Sequence, residues 1–140
     1  MREGWRRRAG KAALFVRCLA LVAAVRLALL ALPYRVIRRW TPRAADGPAD
    51  PGKLRRTAWG VSRAAAFVPG ATCLTQALAA QFILARSGCP SDIRVGVRRD
   101  EAGTFRAHAW LLSGATVVLG GDGEELRDFN VLTDLSARGS

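Results

Sequence analysis

A chain of 140 residues, half of them hydrophobic, can form one domain with a buried core and is too short for two ample ones. Its 22 Lys and Arg against 11 Asp and Glu give a formal charge of +11, which favours an anionic partner surface; without interleaved aromatics or a recognition motif, nucleic-acid binding is not expected. Three cysteines without metal-ligand spacing (Cys18, Cys73 and Cys89) and a single histidine exclude a disulfide framework and a structural zinc site, so a reducing, cytoplasmic compartment is expected, with neither metal nor cofactor.

The positive charge is concentrated at the front. Residues 1–43 carry Arg2, Arg6, Arg7, Arg8, Lys11, Arg17, Arg26, Arg35, Arg38, Arg39 and Arg43 against the single acid Glu3. Within them lies an apolar run broken by Arg17 and Arg26. Its uninterrupted pieces, Cys18–Val25 and Leu27–Tyr34, are eight residues each, whereas a spanning helix needs about 20. At about 100° per residue the two arginines fall on opposite sides of a helix. The pattern predicts a helix from Lys11 to about Leu32, stopped by Pro33, that packs on the domain or makes peripheral contact with a membrane surface.

Pro42–Gly52 holds three Pro and two Gly and reads as a break. It divides the chain into a basic N-terminal helical appendage (1–45), a linker (46–52) and a catalytic part (53–140). A second helix is expected from Lys53 to Phe67, ended by Pro69-Gly70. A third runs from Cys73 to Ser87, with Leu74, Ala77, Leu78, Phe82 and Ala85 on one stripe, the pattern of a core helix. Thr72 is its expected N-cap and Gly88 its terminator.

Beyond Cys89-Pro90 the period changes to two. Ile93, Val95 and Val97 alternate with Arg94, Gly96 and Arg98, and Arg99–Gly103 is a hairpin loop. In the return strand, Phe105, Ala107, Ala109 and Leu111 share one face, and Arg106, His108, Trp110 and Leu112 the other. Ser113-Gly114 is a turn, and Ala115–Leu119 a third strand ending at Gly120-Gly121. The tail, anchored by Phe129, Val131 and Leu132, reads as a short strand or loop. The fold class is α+β, with N-terminal helices followed by an antiparallel sheet of three or more strands.

Two islands in this frame carry chemistry. Cys73 stands in the first turn of a helix, where unpaired amides and the helix dipole favour a thiolate. His108, the one histidine, stands on a neighbouring strand. A cysteine nucleophile needs a base in reach and a third group to orient that base. The nearest acid after the third strand is Asp122, with Asp128 and Asp134 in reserve. Cys18 and Cys89 fit inert core positions, Trp110 packing beside the site, and Gln76 its solvated rim.

Pro69-Gly70-Ala71-Thr72-Cys73-Leu74-Thr75-Gln76-Ala77-Leu78-Ala79, Ile93-Arg94-Val95-Gly96-Val97, Ala107-His108-Ala109-Trp110-Leu111 and Val117-Val118-Leu119-Gly120-Gly121 together resemble the leader peptidases of lasso-peptide biosynthesis. These are stand-alone cysteine proteases of the transglutaminase-like superfamily, with a papain-like core. The resemblance covers about residues 53–135 and implies a Cys73–His108–Asp peptidase that removes the leader from a ribosomally made precursor peptide. It also implies a separate leader-recognition protein and an ATP-dependent lasso cyclase as partners. The superfamily's aspartate often stands about twelve residues after the histidine, a position held here by Gly120, with Asp122 two residues on. Two other functions compete: a transglutaminase or amidase using the same residues, and a non-catalytic membrane-associated scaffold with Cys73 buried.

Overall fold

A computed structural model of the chain describes residues 2–40, 50–114, 116–121 and 130–136. Helices α1 (Arg2–Ala31), α2 (Tyr34–Trp40), α3 (Pro51–Ala65) and α4 (Cys73–Arg86) precede strands β1 (Asp92–Arg99), β2 (Phe105–Ser113), β3 (Thr116–Leu119) and β4 (Asn130–Ser136). The α+β order is the expected one; several boundaries differ. The first helix begins at Arg2, because Arg2 to Ala13 contain no breaker stronger than Gly4 and Gly10. After Pro33, whose carbonyl accepts from the amides of Val36 and Ile37, a short helix α2 appears that the apolar pattern did not suggest. Most of the expected linker, residues 46–49 of 46–52, lies outside the described residues. Its last part is helical: Asp50 caps α3 by accepting from the amides of Gly52 and Lys53 at 2.9 and 3.4 Å, and Pro51 takes the first helical position, where a missing N–H is harmless.

Helix α4 is central. One side packs on α1 and α3, the other on the sheet. This explains why Ala79, Ala80, Gln81 and Leu84 are buried as fully as the stripe residues Ala77 and Leu78. Small alanines let all these layers approach, and the buried Gln81 amide donates to the carbonyl of Ser91 at 3.3 Å. The core joins Cys18, Val22 and Val25 of α1 and Leu54, Val61 and Ala64 of α3 to α4, Ile93, Ala109 and Leu111. The half of α1 that carries Cys18 and Val25 therefore shares one core with the sheet.

The four strands are antiparallel, in spatial order β3-β2-β1-β4. The first three form the expected meander; the tail strand β4 returns to pair with β1, completing a Greek-key order. Ile93, Val95, Ala109 and Leu111 share the face toward α4, and by alternation Arg94, His108 and Trp110 share the opposite face. Asp100 fastens the β1–β2 hairpin. Its carboxylate accepts from the amides of Ala102 and Thr104 at 3.0 and 2.9 Å and from Arg106 Nε at 2.9 Å. The bond from Arg106 first, then that from Thr104, holds its pKa below the usual carboxylate value. Whatever this exposed group adds to stability is present above the ordinary carboxylate range and is lost as pH falls through the lowered value.

Helices α1 and α3 approach closely at Gly60, where a Cβ would stand 2.6 Å from the buried sulfur of Cys18. Gly60→Ala gains about 1 kcal/mol of helix propensity but must displace that sulfur, and overpacking of this kind costs about 1–3 kcal/mol. A net loss of up to about 2 kcal/mol is expected in urea unfolding. Removing the sulfur in Gly60→Ala/Cys18→Ala should recover part of it; additive losses would refute the contact.

Candidate active site

The segment leading into α4 is shaped by Gly70, whose φ of +73° lies in the left-handed region. A Cβ there would stand 2.7 Å from Arg26 Nη2 of α1, so α1 lies against the loop that delivers Cys73. Thr72 caps the helix as expected. Its hydroxyl oxygen accepts from the Thr75 amide at 3.4 Å and pairs with the buried Thr75 hydroxyl at 3.1 Å, while its carbonyl accepts from the Gln76 amide at 3.0 Å. Cys73 is thus the first helical residue, and neither its own amide nor that of Leu74 has an intrahelical acceptor. Its side chain is half-buried.

The sulfur reaches β2. The Ala109 amide donates to Cys73 Sγ at 3.3 Å. This contact sits where the sheet runs out of neighbours, because β3 ends at Leu119 opposite Leu111. Two residues further along β2, the sulfur occupies the place that a longer β3 would have filled. The contact places Cys73 Sγ at the open edge of β2, one residue along the chain from His108.

His108 is oriented from the same edge. Its Nε2–H donates to the carbonyl oxygen of Gly120. A carbonyl can only accept, so this bond places the proton of the neutral imidazole on Nε2 and leaves the lone pair on Nδ1. Trp110 stacks beside the ring, with centroids 6.0 Å apart and planes 21° from parallel. Gly120 permits the arrangement: its φ is +107°, and a Cβ would stand 2.5 Å from Trp110 Cβ and 2.8 Å from Trp110 Cα. No other residue fits at this turn without moving the backbone.

The acids fare differently. Asp122 and Asp128 lie outside the described residues. Asp134 stands on β4 opposite Arg94, which itself stands opposite Trp110; β1 therefore separates it from the histidine strand. Cys18 and Cys89 are both buried, and burial pushes the Cys18 thiol pKa up, against thiolate formation. Gln76 is half-buried, as a rim residue would be. Sequence reasoning missed the Ala109 amide, which no side-chain pattern reports, and the Gly120 carbonyl, although the twelve-residue spacing pointed at Gly120 itself. A cavity of about 650 Å³ lies between α1, α3 and the end of α4, lined by Arg17, Lys53, Arg56 and Arg86 among others. It is far from Cys73 and is not part of this centre.

A thiol at a helix N-terminus, an amide aimed at its sulfur and an oriented imidazole on the next element are the equipment of thiol-dependent acyl transfer. Residues 15–134 match the transglutaminase-like superfamily, and the chain belongs to that superfamily, whose members include cysteine peptidases and acyltransferases. No curated protein and no solved structure matches the chain.

With one histidine in the chain, the ring's tautomer can be read without ambiguity by ¹⁵N-resolved NMR of histidine-labelled protein. The Nε2–H form is expected at neutral pH, and Asp122→Asn should leave it in place. Gly120→Ala should disturb it and destabilise the fold by about 1–3 kcal/mol. An Nδ1–H ring, or one whose tautomer is lost in Asp122→Asn, would remove Gly120 as the orienting group.

Proposed function

We propose that this protein is a cysteine peptidase that removes the leader from a ribosomally synthesised lasso-peptide precursor. The observation that supports the reading is the Ala109 amide on Cys73 Sγ, which holds a helix-terminal sulfur against the backbone of β2, one residue along the chain from His108. Membership of the superfamily supports the chemistry. The finer assignment rests on the resemblance of the Pro69–Ala79, Ile93–Val97, Ala107–Leu111 and Val117–Gly121 segments to leader peptidases.

In this mechanism His108 Nδ1 takes the thiol proton and the Cys73 thiolate attacks the carbonyl at the leader–core junction. The helix dipole and the Ala109 amide favour the anionic sulfur. The oxyanion that develops is met by the free first-turn amide of Cys73. Collapse of the tetrahedral intermediate breaks the C–N bond, and the imidazolium gives its proton to the leaving amine of the core peptide. Water, activated by the same ring, then hydrolyses the thioester and frees the leader carboxylate. The Gly120 carbonyl keeps the ring in the tautomer this cycle requires; Asp122 would assist from beyond the turn.

The partners follow from the same reading. A separate recognition protein would hold the leader and raise its effective concentration at the site, and an ATP-dependent cyclase would take the freed amine. The test is incubation of the precursor and recognition protein with wild type, Cys73→Ala and His108→Ala, read by mass spectrometry. Cleavage at one bond is expected, reduced by about a thousandfold or more in either variant. Unimpaired cutting by Cys73→Ala would overturn the nucleophile. Transfer of the acyl group to an added amine in preference to water would move the protein to the acyltransferases of the superfamily.

A further inference from the structure

Helix α1 has two apolar faces, and only one of them is used by the fold. At about 100° per residue, the buried Cys18, Val22 and Val25 fall within a sector of about 60°. The large exposed residues Trp5, Val16, Leu27 and Leu30 fall within another sector of about 60°, roughly opposite the first. They are 77, 60, 67 and 65% exposed, and the exposed Ala9 and Ala12 continue their stripe. It runs from Trp5 to Leu30, roughly 37 Å along the helix. Arg17 and Arg26, which break the apolar run in the sequence, occupy the two flanks between the faces. The sequence lacked a clean polar face because the helix has two apolar ones with a cation on each side.

The charge around the stripe selects its occupant. Helices α1, α2 and α3 contain fourteen Arg and Lys (seven, three and four) and one acid, Glu3. Two copies meeting through this face would bring like charges together along its whole length, which disfavours a homodimer. An anionic bilayer offers acyl chains for Val16, Leu27 and Leu30 and phosphates for the exposed flanking Arg17, whose long stem can reach past the apolar boundary. Trp5, at the cationic end, and Trp40 of α2, 58% exposed, are the aromatic type that settles at headgroup depth.

Helix α1 is long and apolar enough to cross a membrane, but its inner face is committed. Cys18 is closed over Gly60 and Val22 is fully buried in the core. Crossing would strip that face from α3 or draw Lys53, Arg55, Arg56 and Arg63 into hydrocarbon. We infer that α1 lies in the plane of an anionic membrane surface, its outer stripe in the acyl boundary and its inner face still packed on the domain. This is independent of the chemistry at Cys73.

The test is co-sedimentation of the full chain with vesicles of phosphatidylcholine alone and of phosphatidylcholine with phosphatidylglycerol. Binding is expected to the anionic vesicles and to weaken as salt is raised. Leu27→Glu/Leu30→Glu, at exposed positions that leave the core intact, should weaken it by at least about tenfold, with thermal unfolding unchanged. Failure of wild type to bind anionic vesicles would overturn the inference. So would binding untouched by the Leu27→Glu/Leu30→Glu change, which would reduce it to charge alone. A concentration-dependent dimer abolished by the same variant would make the stripe an interface between copies.

Discussion

The bond from the Ala109 amide to the sulfur of Cys73 joins the two halves of this molecule. Strand amides normally find carbonyls on the next strand, and a buried one without a partner costs about 1–3 kcal/mol. Here β3 stops at Leu119, and the amide beyond its last rung is satisfied by a thiol delivered from the helical layer. For that to happen, α4 must end over this edge of the sheet, which requires the small residues Ala77, Ala79 and Ala80 on its packing faces. The loop before it must also turn sharply at Gly70, against Arg26. The position of Cys73 is therefore a consequence of packing on both sides of α4.

Much of this was legible in the residues. Thr72 and Gly88 announce the ends of α4 because capping chemistry is local: a hydroxyl for orphan amides at one end, and a residue tolerant of φ +77° at the other. The alternation of Ile93, Val95 and Val97 announces β1 for the same reason. Asp50 and Pro51 were an equally local signal, hidden inside a stretch dense in Pro and Gly. What pattern could not supply was pairing. Nothing in Asn130–Ser136 states that it returns to β1, since strand order is decided by which edge remains open after the hairpins form. Nor does any side chain of Ala109 or Gly120 report that its backbone will face the site.

The two halves of α1 also show how a sequence rule can mislead when two environments act on one helix. Amphipathicity is sought as one apolar face against one polar face. A helix packed on a protein along one side and facing lipid along the other has two apolar sectors and only narrow flanks for charge. Arg17 and Arg26, read along the chain, interrupt an apolar run; read around the helix, they separate two continuous ones. The exposure of Leu27 and Leu30 beside the burial of Val22 and Val25 makes that geometry visible.

The orienting group of the histidine brings these strands together. A carboxylate partner stabilises an imidazolium by charge as well as by direction, whereas a carbonyl supplies direction with a weaker dipole. The Gly120 carbonyl therefore gives the ring a direction more than it stabilises a charge on it. The helix N-terminus and the Ala109 amide, by contrast, stand at the sulfur of Cys73. Gly120 suits that division: it must be glycine to clear Trp110, and only as glycine can its carbonyl turn back toward Nε2.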